Sequence, residues 1–349
     1  MCRAAHRVLD SMRLPNGLYI ASPAEEYRYV WIRDVCYTAL AYLDDDGHRF
    51  DETCHRLLDI FHRHRWKLDH HAVHRPNAVF EYLHPRYDAT TLDEIHEPWG
   101  NAQNDAIGAL LYLLGLGLSR GRPVLRNDED RAVVRQLVRY LGTLTYWQDA
   151  DNGMWEENRE IHASSIGACA AGLLALRKHV DVPWEIIQAG LAELHRLLPR
   201  ESPSKPCDLA QLSLVYPYRL LPRDLARHVV EEVERTLLRE RGVIRYLGDR
   251  YYRHRDREAE WCLGLPWLGL CWDTLGERDR ALSYLRWTEW VMVAPGVLPE
   301  LYYGGTDRPN PHTPLAWAVS LYVQLARAMT RSPSSSAGDD PVWDTAKTG

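Results

Sequence analysis

The stretch DNGMWEENREIHASSIG, residues 151–167, sets Glu156 and Glu157 directly behind Trp155 and just ahead of a run of small residues. A carboxylate lying against an indole is partly dry, and a dry carboxylate holds its proton above the usual pH. Such a group suits acid catalysis. The same pair could instead sit exposed at a helix N-terminus, where negative charge is welcome. Glu300 stands in a second polar-aromatic stretch, GVLPELYYGGTDRPNPHTPLAWAVSLY (296–322), among Pro, Tyr and Gly before an apolar helix. In EEYRYVWIRDVCYTAL (25–40), Arg33 and Asp34 fit a buried ion pair, a helix cap or a clamp for vicinal hydroxyls, with Asp accepting and Arg donating. In EPWGNAQNDAIG (97–108), a Trp-Gly turn leads polar side chains into a helix, with Asn104 or Asp105 as plain caps the simpler reading. A fifth cluster joins GVIRYLGDRYY (242–252) to EAEWCLGLPWLGLCW (258–272). Two glutamates in separate aromatic loops, with an Arg/Asp clamp between them, match the needs of glycoside hydrolysis. One carboxylic acid protonates the leaving oxygen, and one carboxylate activates water or attacks directly.

These residues must be carried by helices. Apolar residues recur at helical spacing over 102–118, 130–146, 163–178, 183–198, 223–238, 260–275, 277–292 and 313–329, and more weakly over 3–13, 33–44, 50–67 and 207–217. That makes about twelve helices without βαβ alternation. Strand-like pieces such as 242–252 read as hairpins in loops. No Pro/Gly/Ser linker divides residues 1–330, which predicts one all-α domain, and the Ser/Gly/Asp-rich stretch 331–349 reads as a disordered tail. A solenoid would show a repeat, and none is visible. A closed α/α toroid of six inner and six outer helices fits the count. The polar-aromatic clusters fall in the connections 22–34, 82–101, 147–162, 242–260 and 296–313, and a rigid scaffold commonly presents its functional groups on such loops.

Composition narrows the partners. The 349 residues carry Lys+Arg 42 against Asp+Glu 48, a net charge of −6, which lacks the basic face nucleic acid calls for. There are 13 Trp and 19 Tyr but only 3 Phe. Indoles and phenols pair a flat apolar face with a polar handle, which suits sugars; filling a polar-rimmed core is the alternative. Seven cysteines without a CxxC pattern read as free buried thiols in a reducing compartment. No signal-peptide-like start and no run of eighteen apolar residues occur, so a cytoplasmic protein without a membrane partner is expected. The histidines of FHRHRWKLDHHAVHR are interleaved with Arg and Lys, which repel a cation, so no metal is expected there; chemistry that needs only two carboxylates and water calls for no metal or organic cofactor. A terpene-cyclase-like toroid would need acidic clusters, and LDDDGHRF (43–50) reads as a helix-ending turn.

The order of the clusters resembles glycoside hydrolase family 15, the glucoamylase family, and equally the related N-terminal domain of phosphorylase kinase α and β subunits. The likeness runs from about residue 3 to residue 330. YRYVWIRD is similar to the family's aromatic-x-W-x-R-D signature, WGNAQNDAIG to W-G-R-P-Q-x-D-G, and GMWEE to L-W-E-E. VLPELYYGG is similar to the A-E-Q-Y segment, and PLAWAVSLY to L-T-W-S-Y in the closing helix. The resemblance implies an (α/α)6 barrel with Glu156 as general acid and Glu300 as general base. It implies that Arg33 and Asp34 grip the terminal glucosyl unit, beside Trp31. Tyr27 would stand near the developing oxocarbenium ion, Trp99 and Arg245 at substrate contacts, and Glu157 by the next sugar. Trp155 would help to dry the acid, and Trp317 would complete the substrate-binding set.

Departures from the pattern bear on the substrate. Asn101 and Ala102 stand where the hydrolases have Arg and Pro. NREIHASSIG, LPRESPSK, LPELY and NPHT resemble the phosphorylase kinase relatives more. Neither the N-terminal β-sandwich of many prokaryotic members nor a starch-binding domain is expected in this chain. The expected activity is exo-acting, inverting hydrolysis of α-linked glucans or glucosides, with an oligosaccharide or polysaccharide as substrate. The alternative is a glucan-sensing or regulatory module with little turnover.

Overall fold

Helix α1 spans Cys2–Met12, α2 Ile32–Leu40, α3 Gly47–Arg63, α4 Arg65–His71, α5 Asn104–Ser119 and α6 Asp128–Leu144. They are followed by α7 (Ala163–Leu176), α8 (Trp184–Leu197), α9 (Arg223–Leu237), α10 (Gly264–Thr274), α11 (Arg278–Trp290) and α12 (Ala316–Thr330). In this computed structural model the described residues are 1–331 without 45, 96 and 98; the tail expected over 331–349 falls outside them but for its first residue. The contacts divide the chain into two units. One comprises Met1–Met12, Ser22–Tyr27 and the chain from Pro199; the other comprises Arg13–Ala21 and Arg28–Leu198.

The second of these units carries the helices with the plainest physical origin. In α3 the buried residues Phe50, Cys54, Leu57, Leu58 and Phe61 recur every three or four positions, so one stripe faces inward. Asp46 caps its first turn by accepting from the Arg49 amide at 3.3 Å. Asn127 does the same for α6, accepting from Asp130 at 3.0 Å, and Asp128 and Glu129 complement the helix dipole. Helices α5 and α7 are buried nearly all round, as their apolar sequences require. They approach backbone to backbone: a Cβ on Gly108 would lie 2.4 Å from the Ala168 carbonyl carbon, and one on Gly172 would lie 2.5 Å from the Gly108 oxygen. The short strands β1 (Tyr29–Trp31) and β2 (Arg86–Asp88) pair antiparallel and set Trp31 opposite Arg86.

In the other unit, α10 packs against α9, α11 and α12, and α1 lies on α12. Trp267 and Trp272 of α10 are fully buried. Strands β3 (Glu260–Trp261) and β4 (Leu301–Tyr302) pair antiparallel, with Trp261 opposite Leu301.

Three expectations need correction. The helix expected over 50–67 stops at Arg63, and the chain restarts as α4 after His64, whose ring is fixed on the Leu92 carbonyl at 2.8 Å. The helix expected over 207–217 is a 3₁₀ segment, Leu209–Leu214, closed at its start by a reciprocal Asp208–Gln211 cap. Pro217 disfavours continuation through Tyr216. The stretch 242–252 does not pair with itself: Val243 bridges Leu238 on one side and Trp261 on the other. All seven cysteines are free thiols, six of them buried. Among the described residues no helix is long and apolar enough to cross a membrane.

Candidate active site

Glu156 does not cap a helix. Helix α7 begins at Ala163, and Glu156 lies in the preceding turn at φ 63°, a left-handed conformation that a non-glycine residue adopts at a cost. The turn is held from both ends. Asp151 pairs with Glu160 across the loop, and Gly153 takes φ 64° where a Cβ would strike the His162 ring at 2.8 Å. Asn152 ties the loop to the stretch before α5 through the Ala102 amide at 3.1 Å and carbonyl at 2.6 Å. Asp151 accepts from the Asn104 amide at 2.9 Å, so the loop itself caps α5, and Asn104 and Asp105 are not its caps.

Around the Glu156 carboxylate the second unit gathers several predicted residues. The Trp31 indole N–H donates to Oε1 at 2.9 Å, and the Arg33 guanidinium reaches the same oxygen at 3.4 Å. Arg33 is buried and forks onto Asp105 Oδ2 at 2.9 Å and Gln103 Oε1 at 3.0 Å. Asp34, also buried, is the acidic residue of the first turn of α2. Burial pushes the Glu156 carboxyl up to about 7, and Asp34 adds to the rise, against the pull of Arg33, the Trp31 bond and Arg86. Its side chain keeps 22% of its surface exposed, enough to meet a substrate. Trp155 and Glu157 flank it in the turn, and the Glu157 amide bonds to Asn152 at 2.9 Å.

Arg86 is a member that sequence reading missed. Its guanidinium lies 4.2 Å from the Trp99 ring centre, 5.3 Å from Trp31 and 5.0 Å from Tyr29, and it bonds to Glu97 at 2.9 Å. Only the β1–β2 register places it there. The aromatic wall near the Glu156 carboxyl is thus built around a buried cation.

The first unit holds a second carboxylate cluster. Glu300 is 1% exposed. Its Oε1 accepts from the Tyr27 hydroxyl at 2.9 Å, and its Oε2 accepts from the Asn310 side-chain amide and meets His312 Nδ1 at 2.8 Å. Tyr27 in turn meets the Tyr251 hydroxyl at 2.8 Å. Arg245 is buried and forks onto Asp249 at 2.7 Å twice, with the Tyr251 and Trp261 rings 5.0 and 5.1 Å away. Trp317 is buried against Trp267, ring centres 5.4 Å apart. The Asn310 and His312 contacts were also missed. Their signal was the N-P-H alternation, since positions two apart on an extended segment face one side. That segment runs along β4, with the Asn310 amide on Leu301 O and the Glu300 amide on His312 O, each at 3.1 Å.

Among the described residues no group of three or more His, Cys, Asp or Glu could hold a metal ion. The arrangement suits acid–base chemistry: a carboxyl of raised pKa beside donors and aromatic faces in one unit, and a carboxylate held by three partners in the other.

The family model of Glycosyl hydrolases family 15 matches residues 1–181, more than half of the chain. The chain belongs to family 15. It is 29% identical, over 84% of its length, to a probable phosphorylase b kinase regulatory subunit alpha of Caenorhabditis elegans, of which it covers 30%. The chain therefore spans less than a third of the length of the phosphorylase kinase relatives it matches. It is 26% identical to an isomaltose glucohydrolase of Kribbella flavida, over 93% of this chain and 91% of that one. A solved wild-type glycosidase is 25% identical with a TM-score of 0.80, covering 94% of this chain and 95% of that one. The glucoamylase of Saccharomycopsis fibuligera, 14% identical, matches with a TM-score of 0.69 over 93% of both chains. This likeness shows the fold, and family 15 membership agrees with it: the all-α (α/α)6 class expected from the helix count.

Proposed function

We propose that this family 15 chain is a glycoside hydrolase that removes glucose from the non-reducing end of α-linked glucans or glucosides by inverting acid–base hydrolysis. The observation that carries the reading is the Glu156 carboxyl, lifted by burial to about 7 while hydrogen-bonded by Trp31. At neutral pH such a group is still partly protonated and can give its proton to the leaving oxygen. Glu300, with three partners directing its lone pairs, takes a proton from the attacking water. One water is consumed per bond cleaved: its oxygen bonds to the anomeric carbon as the glycosidic bond breaks, its proton goes to Glu300, and the proton of Glu156 leaves on the departing hydroxyl. Arg33 and Asp34 hold hydroxyls of the terminal sugar, with Trp31, Trp99, Trp155 and Trp317 contributing apolar faces. Tyr27 and Arg245 belong to the base side, and Glu157 to the following sugar. The isomaltose glucohydrolase matched over nearly both full lengths supports a small α-glucoside as substrate.

The test is incubation with maltose, isomaltose, trehalose, maltooligosaccharides and dextran, followed by proton NMR of the first-formed sugar. Release of β-glucose is expected; an initial α-anomer signal refutes inversion. A second reading, a glucan-binding regulatory module, rests on the phosphorylase kinase relatives. It takes over if no glucoside is cleaved while glucans bind.

A further inference from the structure

His312 sits between two carboxylates. Its Nδ1 lies 2.8 Å from Glu300 Oε2, and its Nε2 lies 3.0 Å from Glu26 Oε1. The ring is 3% exposed, whereas the Glu26 side chain is 60% exposed. Two carboxylate oxygens can only accept, so an imidazole bonded to both must donate through both nitrogens and carry a positive charge, unless one carboxyl keeps a proton. Two aromatic rings face it: the Tyr27 ring stacks on His312 with centres 3.8 Å apart, and Tyr252 stands edge-on at 5.7 Å. The Asn310 side-chain nitrogen, 3.3 Å from Nδ1, is spent on Glu300 Oε2. Burial lowers the His312 pKa, but Glu300 and then Glu26 outweigh it, and the net shift is upward. The bonds on Glu300 leave a single acceptor position, on Oε1, the oxygen that Tyr27 also contacts.

We infer that His312, charged and clamped by the exposed Glu26, is the positioning residue of the base: it fixes the Glu300 carboxylate so that one Oε1 lone pair is left for water. This deepens the reading of Glu300 as the base and rests on it. Glu26 acts on the base through His312, to which its Oε1 is bonded.

The experiment combines kinetics with a titration that needs no turnover. His312→Asn keeps a donor at the Nδ1 position without the charge. It is expected to move the acidic limb of the kcat/KM profile upward, because a cation beside the base is gone. His312→Ala loses geometry as well, and kcat should fall ~10–100-fold. Glu26→Gln lies at the surface and removes only the far clamp. The imidazole NMR titration of His312 should then shift to lower pH in Glu26→Gln and in Glu300→Gln. Unchanged kinetics and acidic limb in His312→Asn and His312→Ala, with Glu300→Gln inactive, would overturn the inference. So would a His312 titration identical in all three proteins. An active Glu300→Gln would instead remove the base assignment.

Discussion

The Trp31 indole N–H donates to Glu156 Oε1 at 2.9 Å, although 125 positions separate the two residues. The bond holds a carboxyl that burial would drive higher still. Three consequences concern Glu156, and a fourth concerns the scaffold.

Glu156→Gln keeps the shape and removes the proton. On a natural glucoside kcat should fall ~10²–10⁴-fold. On α-glucosyl fluoride, whose leaving group needs little protonation, the loss should be far smaller. Steady-state kinetics on both substrates check this; equal losses on the two would speak against an acid role.

The alkaline limb of the pH profile should lie near 7, where Glu156 gives up its proton. In Trp31→Phe the donor to the ionised form is gone, so that form is less favoured and the limb should move to higher pH, by less than about one unit. A limb that stays in place or falls would show that another group sets it.

Stability should carry the same signature with a definite sign. The folded carboxyl titrates near 7 against an ordinary 4.5, so between these values the folded protein holds a proton that the unfolded chain has lost. Stability therefore falls as pH rises through this window. Glu156→Gln is neutral throughout and should melt higher than the wild type at pH 8, by a margin worth at most about 3 kcal/mol. Near pH 4 the difference should vanish. Calorimetry at the two pH values decides it.

Gly108→Ala should destabilise the unit built on α5 and α7. The added methyl would meet the Ala168 and Cys169 backbone at 2.4 Å, and backbone cannot swing aside as a side chain can. Overpacking of this kind costs about 1–3 kcal/mol. Urea unfolding with an unchanged midpoint would show that the two helices separate more easily than their contact suggests.

The sequence by itself determined most of the helices, because a buried stripe forces apolar residues into a 3.6-residue period that survives without any partner in view. It also singled out Glu156 and Glu300, since a carboxylate among aromatics is costly unless it does something. Tertiary structure decided what those carboxylates touch. The indole bonded to Glu156 is Trp31, brought by strand β1, while the neighbour in sequence is Trp155. Arg33 forks onto Asp105 of α5 and onto Gln103, and Glu300 is held by Tyr27 from far up the chain and by two residues of an extended segment ten and twelve positions on. Arg86 could not be read at all, because a cation buried between rings looks in sequence like any surface arginine. Short-range periodicity records which face of an element is dry. Side-chain hydrogen bonds across tens or hundreds of positions leave no periodic trace, and only the packed backbone brings them within 3 Å.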